Sequence, residues 1–222
     1  MNEPLPPESA YVQVVESPDK VKARAYKCME SVIGWCSPIK AETLIDIILR
    51  YKPETVVEIG VFGGHSVIPM AVALKANGSG KLHGIDPWDN QASLEGVMNP
   101  SNEYYWSTIN LEAILQNLID RIQEFGLDDQ IALYRCTSKD APVIENIDLI
   151  HIDGNHSDVT SYIDVTKWVP LMRSGGWIVF DDMTWYENGM FTTARAVEWL
   201  DEHCYKLAEF KDKSIWGIWI KP

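Results

Sequence analysis

The stretch from Thr55 to Ser66 constrains the fold more than any other part of this chain. It reads Thr-Val-Val-Glu-Ile-Gly-Val-Phe-Gly-Gly-His-Ser. A short apolar run enters Glu58, a glycine cluster follows, and apolar residues at helical spacing continue from Val67 to Leu74. β-Branched residues before a glycine turn are typical of strands, so this order predicts a strand, a tight turn and a helix.

The spacing of the glycines narrows the choice of ligand for this turn. Glycine at position 60 lets the chain turn without a steric penalty, and glycines at 63 and 64 let a ligand and the next helix approach the backbone. The spacing is Glu-x-Gly-x-x-x-Gly, formed by Glu58, Gly60 and Gly64. The dinucleotide-binding spacing Gly-x-Gly-x-x-Gly is excluded because position 62 is phenylalanine. The alternative is a glycine-rich turn that binds no ligand.

Composition and charge bound the class of protein. The chain has 222 residues, of which 46% are hydrophobic and 23% charged, as in ordinary globular proteins. We expect one domain at residues 37–222, preceded by an N-terminal tail and strap at residues 1–36. The net charge of −13 makes nucleic acids and anionic membranes unfavourable partners, and we expect neither.

The cysteines and the apolar runs indicate a cytoplasmic protein. Four cysteines are widely separated and form no Cys-x-x-Cys pair: Cys28, Cys36, Cys136 and Cys204. Cysteines spaced in this way are typical of reduced thiols. No apolar run approaches the roughly 20 residues that cross a bilayer.

Strands and helices alternate along the rest of the chain. After the strand that enters Glu58, strands are predicted at 81–86, 131–136, 147–153, 177–181, 205–210 and 214–220. Helices are predicted from the Ser37-Pro38 cap to about Tyr51, and at about 65–76, 107–125, 157–172 and 191–203. This order predicts a doubly wound, mainly parallel, seven-stranded α/β sheet of Rossmann type with an antiparallel C-terminal hairpin.

Residues 87–106 interrupt the alternation. This stretch is rich in Trp, Tyr, Asn and Pro, and it is too irregular for a core element and too aromatic for a plain linker. Two interpretations stay open. The segment is a lid beside a ligand site, or its aromatic residues pack an extra helix onto the domain.

Four aspartates lie at the carboxyl ends of three predicted strands. Asp86 ends the second strand, where a carboxylate can accept the hydroxyl groups of a ribose. Its alternative role is a solvated acid in an Asp-Pro turn. Asp153 ends the fourth strand, and Asp181 and Asp182 end the fifth.

The three aspartates predict a metal site. Neighbouring parallel strands bring Asp153, Asp181 and Asp182 to one edge of the sheet, and carboxylates so close repel unless a cation lies between them. Oxygen ligands favour Mg²⁺, or Mn²⁺ in its place. Asp181 and Asp182 can share an ion only where the strand has ended, since consecutive strand residues face opposite ways. The alternative is one turn cap and two solvated acids.

His156 follows Asp153 at the start of a predicted helix. A neutral imidazole there can take a proton from a substrate hydroxyl, which makes His156 the candidate general base. Its alternative role is to cap the helix, which Ser157 can do equally well. His151 alternates with apolar residues, and we interpret it as a packed strand histidine.

These motifs resemble the cofactor site of class I S-adenosylmethionine-dependent methyltransferases. The resemblance lies in Glu58 to Ser66 followed by Met70-Ala71, and in Gly84-Ile-Asp86. It covers roughly residues 40–220. The aspartates after strands four and five resemble the Mg²⁺ site of catechol O-methyltransferase. They resemble more closely the metal-dependent sugar O-methyltransferases of macrolide biosynthesis and the cephalosporin-cluster methyltransferase-like proteins, where Ile-Asp-Gly-x-His recurs.

The resemblance implies roles for individual residues. It places Glu58, Gly60 and Gly64 beneath the methionine part of the cofactor and Ser66 near its carboxylate. The remaining cofactor contacts and the metal ligands that it implies are Asp86 at the ribose, Ser138 near the adenine, and Asp153 with Asp181 and Asp182 around Mg²⁺ or Mn²⁺. The chain departs from the catechol enzyme after Asp153, where Gly154-Asn155 replaces an aromatic residue.

The expected function is Mg²⁺-dependent O-methylation of a small hydroxylated molecule of sugar or natural-product type. One alternative keeps S-adenosylmethionine but changes the chemistry to hydroxylation or to N- or C-methylation. Another is a nucleotide-binding protein without turnover, which a fold alone never excludes. The sequence leaves the acceptor and a homo-oligomeric state open.

Overall fold

A computed structural model describes residues 16–222. Residues 1–15, which belong to the predicted N-terminal tail, lie outside the described residues. Within the described part of the chain, every helix is too short or too polar to span a membrane.

A seven-stranded sheet forms the centre of the molecule. The strands in the described residues are β1 (Thr55–Ile59), β2 (Lys81–Asp86), β3 (Ile131–Arg135), β4 (Ile147–Ile152), β5 (Met172–Phe180), β6 (Tyr186–Glu187), β7 (Met190–Phe191), β8 (Tyr205–Lys211) and β9 (Ile215–Ile220). Seven of them pair in the order β3-β2-β1-β4-β5-β9-β8. All neighbours are parallel except β9, which runs antiparallel to β5 and β8. The predicted α/β fold is confirmed.

Helices flank the sheet. They are α1 (Pro18–Met29), α2 (Pro38–Tyr51), α3 (Val67–Asn77), α4 (Asn90–Ser93), α5 (Pro100–Thr108), α6 (Leu111–Glu124), α7 (Asp158–Trp168) and α8 (Ala194–His203), with a short 3-10 helix at Val169–Leu171. Residues of α1, α2, α3 and α6 share one apolar cluster with the sheet, and residues of α7 and α8 share another. The sheet is therefore buried between two helical layers.

Side chains that alternate along the strands contribute to the apolar clusters on both faces of the sheet. In β1, Val56 joins the first apolar cluster and Val57 the second, and in β4 Leu149 and Ile150 divide in the same way. Because successive side chains of a strand face opposite sides, each central strand contributes to both cores. Each such buried aliphatic side chain contributes roughly 1.5–3 kcal/mol to folding.

The start of helix α2 is determined by its local sequence. The Ser37 hydroxyl accepts a hydrogen bond from the Lys40 amide at 3.2 Å, and Pro38 occupies the first turn. These are the expected cap and the expected first-turn residue. The helix ends at Lys52 in a left-handed conformation with φ 47°.

Helices α1 and α4 and strands β6 and β7 were not predicted, and an extra helix such as α5 was one of two interpretations of residues 87–106. Helix α1 lies within the residues assigned to the tail and strap, and its Val21 and Ala25 are fully buried in the first apolar cluster. Helix α5 lies mostly within the irregular stretch 87–106. Strands β6 and β7 form a hairpin around Asn188-Gly189, both with positive φ. The domain boundary at residue 37 and the lid at 87–106 stay predictions.

Candidate active site

The glycine turn after β1 packs against the end of β4. A Cβ atom on Gly60 would lie 2.0 Å from the carbonyl oxygen of Asp153, and the φ of Gly60 is 86°. A Cβ atom on Gly64 would lie 2.4 Å from Leu118 of α6. Both positions therefore require glycine, because backbone and helix approach too closely for a side chain. The turn and the end of β4 meet at the carboxyl edge of the sheet, where doubly wound folds bind ligands.

Asp86 binds the backbone of the same turn. Its Oδ2 accepts hydrogen bonds from the amides of Val61 at 3.0 Å and Phe62 at 2.9 Å, and its Oδ1 accepts from the amide of Trp88 at 2.7 Å. Burial raises the pKa of Asp86 and outweighs these hydrogen bonds. This carboxylate fixes the conformation of the turn. Its Oδ1, with a single partner among the described residues, keeps capacity for a further donor.

A buried polar network lies beneath the turn. Glu58 accepts from the hydroxyl of Ser66 and lies 3.2 Å from Nδ1 of His151, and all three side chains are buried. Burial raises the pKa of Glu58 despite the hydrogen bond from His151. Glu58 Oε2 has no hydrogen-bond partner among the described residues. His151 is thus the packed strand histidine that the sequence predicts, and it also links β1 to the end of β5.

Asp181 belongs to this buried network. Strand β5 ends at Phe180, so Asp181 and Asp182 lie beyond it, as a shared site requires. The Asp181 carboxylate pairs with the ammonium of Lys40, and its Oδ2 lies 3.8 Å from Nε2 of His151. Its Oδ1 accepts from the Ser214 hydroxyl at 2.8 Å and from the Asp182 amide at 2.9 Å. These contacts therefore hold the Asp181 side chain in the protein interior, just beyond the end of β5.

Asp153, His156 and Asp182 form a separate, partly open cluster. The Nε2 atom of His156 lies 3.5 Å from Asp153 Oδ1 and 3.5 Å from Asp182 Oδ2. Side-chain exposure is 30% for Asp153, 21% for Asp182 and 21% for His156. The structure thus divides the three aspartates: Asp153 and Asp182 meet at His156, whereas Asp181 turns toward Lys40.

Electrostatics in this cluster follow from the close contacts. Burial lowers the pKa of His156, but the carboxylates of Asp153 and Asp182 outweigh it, and the pKa of His156 lies above its ordinary value. Burial raises the pKa of Asp153, but His156 and the charge of Lys40 outweigh it, so that pKa is lowered. Burial raises the pKa of Asp182. The cluster therefore favours a positive charge between the two carboxylates.

The donor atoms of this cluster fit a divalent cation. One ligand atom each from Asp153, His156 and Asp182 lie within 4.8 Å of one another. The Nε2 atom of His156 is buried and has no hydrogen-bond partner among the described residues. Two carboxylates and an imidazole suit Mn²⁺ at least as well as Mg²⁺, which prefers oxygen alone. A second group that could hold a cation contains His151, Asp153 and Asp181.

The role of helix cap falls to Ser157. Its hydroxyl accepts from the Thr160 amide at 3.2 Å as the N-cap of α7. His156 therefore does not cap the helix. Its imidazole ring lies against the ring of Trp185, with the two ring centroids 4.6 Å apart. The backbone carbonyl of His156 accepts from Thr192 at 2.6 Å. These contacts hold the imidazole above the two carboxylates.

Ser138 is buried and faces α7. Its hydroxyl donates to Asp164, a carboxylate that is only 1% exposed. Burial raises the pKa of Asp164 to about 7, although the hydrogen bond from Ser138 opposes this. A Cβ atom on Gly154 would lie 3.2 Å from Asp164 Oδ2, so the pair borders the segment that follows β4.

A polar cavity opens beside Asp182. It has a volume of about 380 Å³ and is lined by Asn99, Asn102, Asp182, Thr184, Trp185, Tyr186, Lys213, Ser214 and Ile215. The irregular stretch 87–106 contributes through the two asparagines. Buried Glu187 accepts from the Asn99 amide at 2.7 Å and also from the side chains of Asn99 and Asn102. Hydrogen bonds thus fix one wall of the cavity to the β6–β7 hairpin.

Comparison with known families identifies the domain. A family model described as a methyltransferase domain matches residues 57–183, from β1 to just beyond β5. The chain belongs to this methyltransferase family. It is an S-adenosylmethionine-dependent methyltransferase of class I, as the resemblance of its glycine turn implied. A sequence search of curated proteins finds no match.

Solved structures share the fold of this methyltransferase at low identity. The O-methyltransferase TomG from Streptomyces achromogenes, in complex with S-adenosylmethionine, is 16% identical with a TM-score of 0.61, over 94% of this chain and 92% of that one. An O-methyltransferase from Bacillus cereus, in complex with S-adenosylhomocysteine, is 14% identical with a TM-score of 0.60, over 95% and 94%. The S-adenosylhomocysteine-bound Podospora anserina methyltransferase is 12% identical with a TM-score of 0.62, over 100% of both chains.

Sequence reasoning missed three side chains that shape the site of this methyltransferase. Lys40, Asp164 and Glu187 are charged residue types, yet all three are buried. Lys40 had a detectable signal, since it lies four and seven residues before Leu44 and Ile47 on the apolar face of α2. The burial of Asp164 and Glu187 depends on contacts between distant parts of the chain, which periodicity does not reveal.

Proposed function

We propose that this methyltransferase transfers the methyl group of S-adenosylmethionine to a hydroxyl group of a small acceptor, with His156 as the general base. The observation that carries the proposal is the buried, unpartnered Nε2 of His156, 3.5 Å from both Asp153 and Asp182 at the carboxyl ends of β4 and β5. Catalytic bases occur where a titratable group and its charged neighbours share a partly open site.

The cofactor is proposed to bind over the glycine turn. Glu58, Gly60, Gly64 and Ser66 would form the floor beneath its methionine part. Asp86 would accept the ribose hydroxyl groups through the spare capacity of Oδ1. The proposed adenine contact is Ser138, and Asp153, a member of the acidic cluster, would also contact the cofactor.

Proton transfer is proposed to run through one atom, Nε2 of His156. As the acceptor oxygen forms a bond to the methyl carbon, the bond between that carbon and the cofactor sulfur breaks, and the hydroxyl proton passes to Nε2. The position of Nε2 supports this step, because it lies 3.5 Å from both Asp153 and Asp182, within reach of a hydroxyl group held at these carboxylates. The products are the methyl ether and S-adenosylhomocysteine.

A divalent cation is proposed to assist. Asp153 and Asp182 would hold Mg²⁺ or Mn²⁺, which lowers the pKa of a hydroxyl bound to it. Two carboxylates whose repulsion is relieved by a cation support this assignment. Asp181, the third aspartate of the expected ligand set, is engaged by Lys40.

The acceptor is proposed to be a small polar molecule. The cavity beside Asp182 is about 380 Å³, within the roughly 300–1,000 Å³ range of ligand pockets. Trp185 and Tyr186 offer flat faces, and Asn99 and Asn102 offer hydrogen bonds. This mixture suits a hydroxylated sugar or a hydroxylated ring of natural-product type.

The test compares two histidine variants. His156→Ala should lower turnover with a hydroxylated acceptor at least about a hundredfold, the usual contribution of a general base. His203→Ala is the matched control, because His203 is exposed at the end of α8 and should leave turnover unchanged. Release of S-adenosylhomocysteine measures turnover, and calorimetry measures cofactor affinity. Unchanged turnover in His156→Ala with intact cofactor affinity would rule out the proposed base.

A further inference from the structure

Lys40 is a buried cation at the position where a metal ion is expected. Its side chain is 4% exposed and that of its partner Asp181 is 1% exposed. Buried lysine is rare and is retained in proteins where an anion compensates its charge. The first turn of α2 projects this ammonium onto the carboxylate that follows β5, and Ser37 beside it donates to Asp212.

Both oxygens of Asp181 are already occupied. Oδ1 accepts from Ser214 and from the amide of Asp182, and Oδ2 bears the ammonium of Lys40 with His151 at 3.8 Å. A divalent cation on the same carboxylate would face the ammonium across a few ångströms of a site that little water screens. Repulsion between the two cations would be strong there.

We propose that Lys40 takes the place of a metal ion at Asp181 and restricts metal binding to the two carboxylates of the open cluster, Asp153 and Asp182. This inference rests on the metal site of the proposed function and gives the reason why Asp181 is not among its ligands. Lys40 acts as a positioning residue: it holds Asp181 inward, and the Asp181 carboxylate in turn binds the amide of Asp182. Asp182, with φ of 49°, is thereby turned outward toward the cavity.

A double variant isolates the role of Asp181. Lys40→Met with Asp181→Asn removes one positive and one negative charge, so the net charge of the site is unchanged. Replacing both partners of a buried pair is often neutral for folding, whereas removing one partner is not. Asp182→Asn is the comparison, because it removes a carboxylate from the open cluster.

The readout is Mn²⁺ binding, measured by the loss of the electron paramagnetic resonance signal of free Mn²⁺ in the whole protein. The double variant should keep the wild-type dissociation constant within about threefold, whereas Asp182→Asn should weaken binding at least about tenfold. Lys40→Met alone should tighten binding at least about tenfold, because it frees the Asp181 carboxylate. Lys22→Met, at a lysine paired with Asp46 on the surface, should change nothing.

Clear results would overturn the proposal. If the double variant weakens Mn²⁺ binding as strongly as Asp182→Asn does, Asp181 is a metal ligand and Lys40 does not replace the ion. Absence of Mn²⁺ binding in wild type together with Lys40→Met would also contradict it, since the freed carboxylate should create affinity. Binding gained only in Lys40→Met would also contradict the proposal, because the open cluster of the wild-type protein would then bind no Mn²⁺.

A measurement on the unaltered protein keeps the proposal testable if a variant fails to fold. Amine acetylation followed by mass spectrometry should leave Lys40 unmodified with and without Mn²⁺. Acetylation of Lys40 on addition of Mn²⁺ would show that the metal displaces the lysine, which contradicts the proposal. Titration with S-adenosylhomocysteine in the same samples distinguishes failure of the proposed function from failure of the role of Lys40. Absence of cofactor binding would contradict the proposed function. Metal binding at Asp181 would contradict the role of Lys40.

Discussion

Asp164 should make the folded protein less stable as the pH rises. Its carboxyl group is 1% exposed, and burial raises its pKa from an ordinary 3.8 to about 7. Each pKa unit corresponds to about 1.4 kcal/mol, so ionising Asp164 in the folded state costs about 4 kcal/mol. A raised folded-state pKa leaves stability intact below about pH 3.8 and reduces it progressively up to about pH 7.

Asp164→Asn removes this cost and keeps the hydrogen bond, because an amide oxygen can still accept from the Ser138 hydroxyl. The variant should gain roughly 2 kcal/mol over wild type at pH 5 and about 4 kcal/mol at pH 8, from the linkage relation. Urea unfolding at both pH values measures the difference. Asp129→Asn is the control, because Asp129 is exposed and its replacement removes no buried carboxyl group.

The rise in the stability gain between pH 5 and pH 8 is the decisive quantity. A gain that is equal at the two pH values would show that Asp164 is not ionised against a burial cost, and the reasoning would be refuted. A loss of stability at both values would instead assign Asp164 a stabilising charge.

Two further changes test the packing around the site. Gly60→Ala forces a Cβ atom to within 2.0 Å of the Asp153 carbonyl oxygen at a φ of 86°. Backbone strain and overpacking should lower the free energy of unfolding, measured in urea, by about 3 kcal/mol or more. A variant as stable as wild type would contradict the close packing of the turn on β4. Glu187→Gln places an amide N–H group against the N–H donors of Asn99. Loss of these hydrogen bonds should destabilise α5 by about 1–3 kcal/mol and accelerate its amide hydrogen exchange correspondingly. Unchanged exchange would show that Glu187 does not hold α5 against the β6–β7 hairpin.

The sheet could be predicted because its signals are local. The apolar run before Glu58, the glycines after it and the alternation of strands with helices each act over a few residues. Strand β5 ends at Phe180, one residue before the predicted end at Asp181. Parallel order then places the carboxyl ends of β4 and β5 side by side.

The missed elements had weaker signals. Helix α1 buries Val21, Ala25 and Cys28 at helical spacing, but small side chains among lysines and arginines give little contrast between its faces. Asn188-Gly189 is a strong hairpin signal, yet strands of two residues offer no alternation to accompany it.

The division of the acidic cluster could not be predicted from the sequence. It depends on Lys40, which lies more than a hundred residues before Asp181 and meets it only because α2 packs beside the end of β5. The residue type alone predicts an exposed side chain at position 40, because lysine is usually exposed. A spacing of aspartates shows that they approach one another, but not which of them a distant cation neutralises.

The most direct test of the account is a calorimetric titration of the wild-type protein with S-adenosylhomocysteine, with Asp86→Asn as the comparison. We predict binding in the micromolar range to wild type. Binding to Asp86→Asn should be at least about tenfold weaker, because an amide group would face the turn amides that now donate to the carboxylate. Absence of binding to the folded wild-type protein would contradict a cofactor site over the glycine turn, and equal binding by both proteins would remove Asp86 from it.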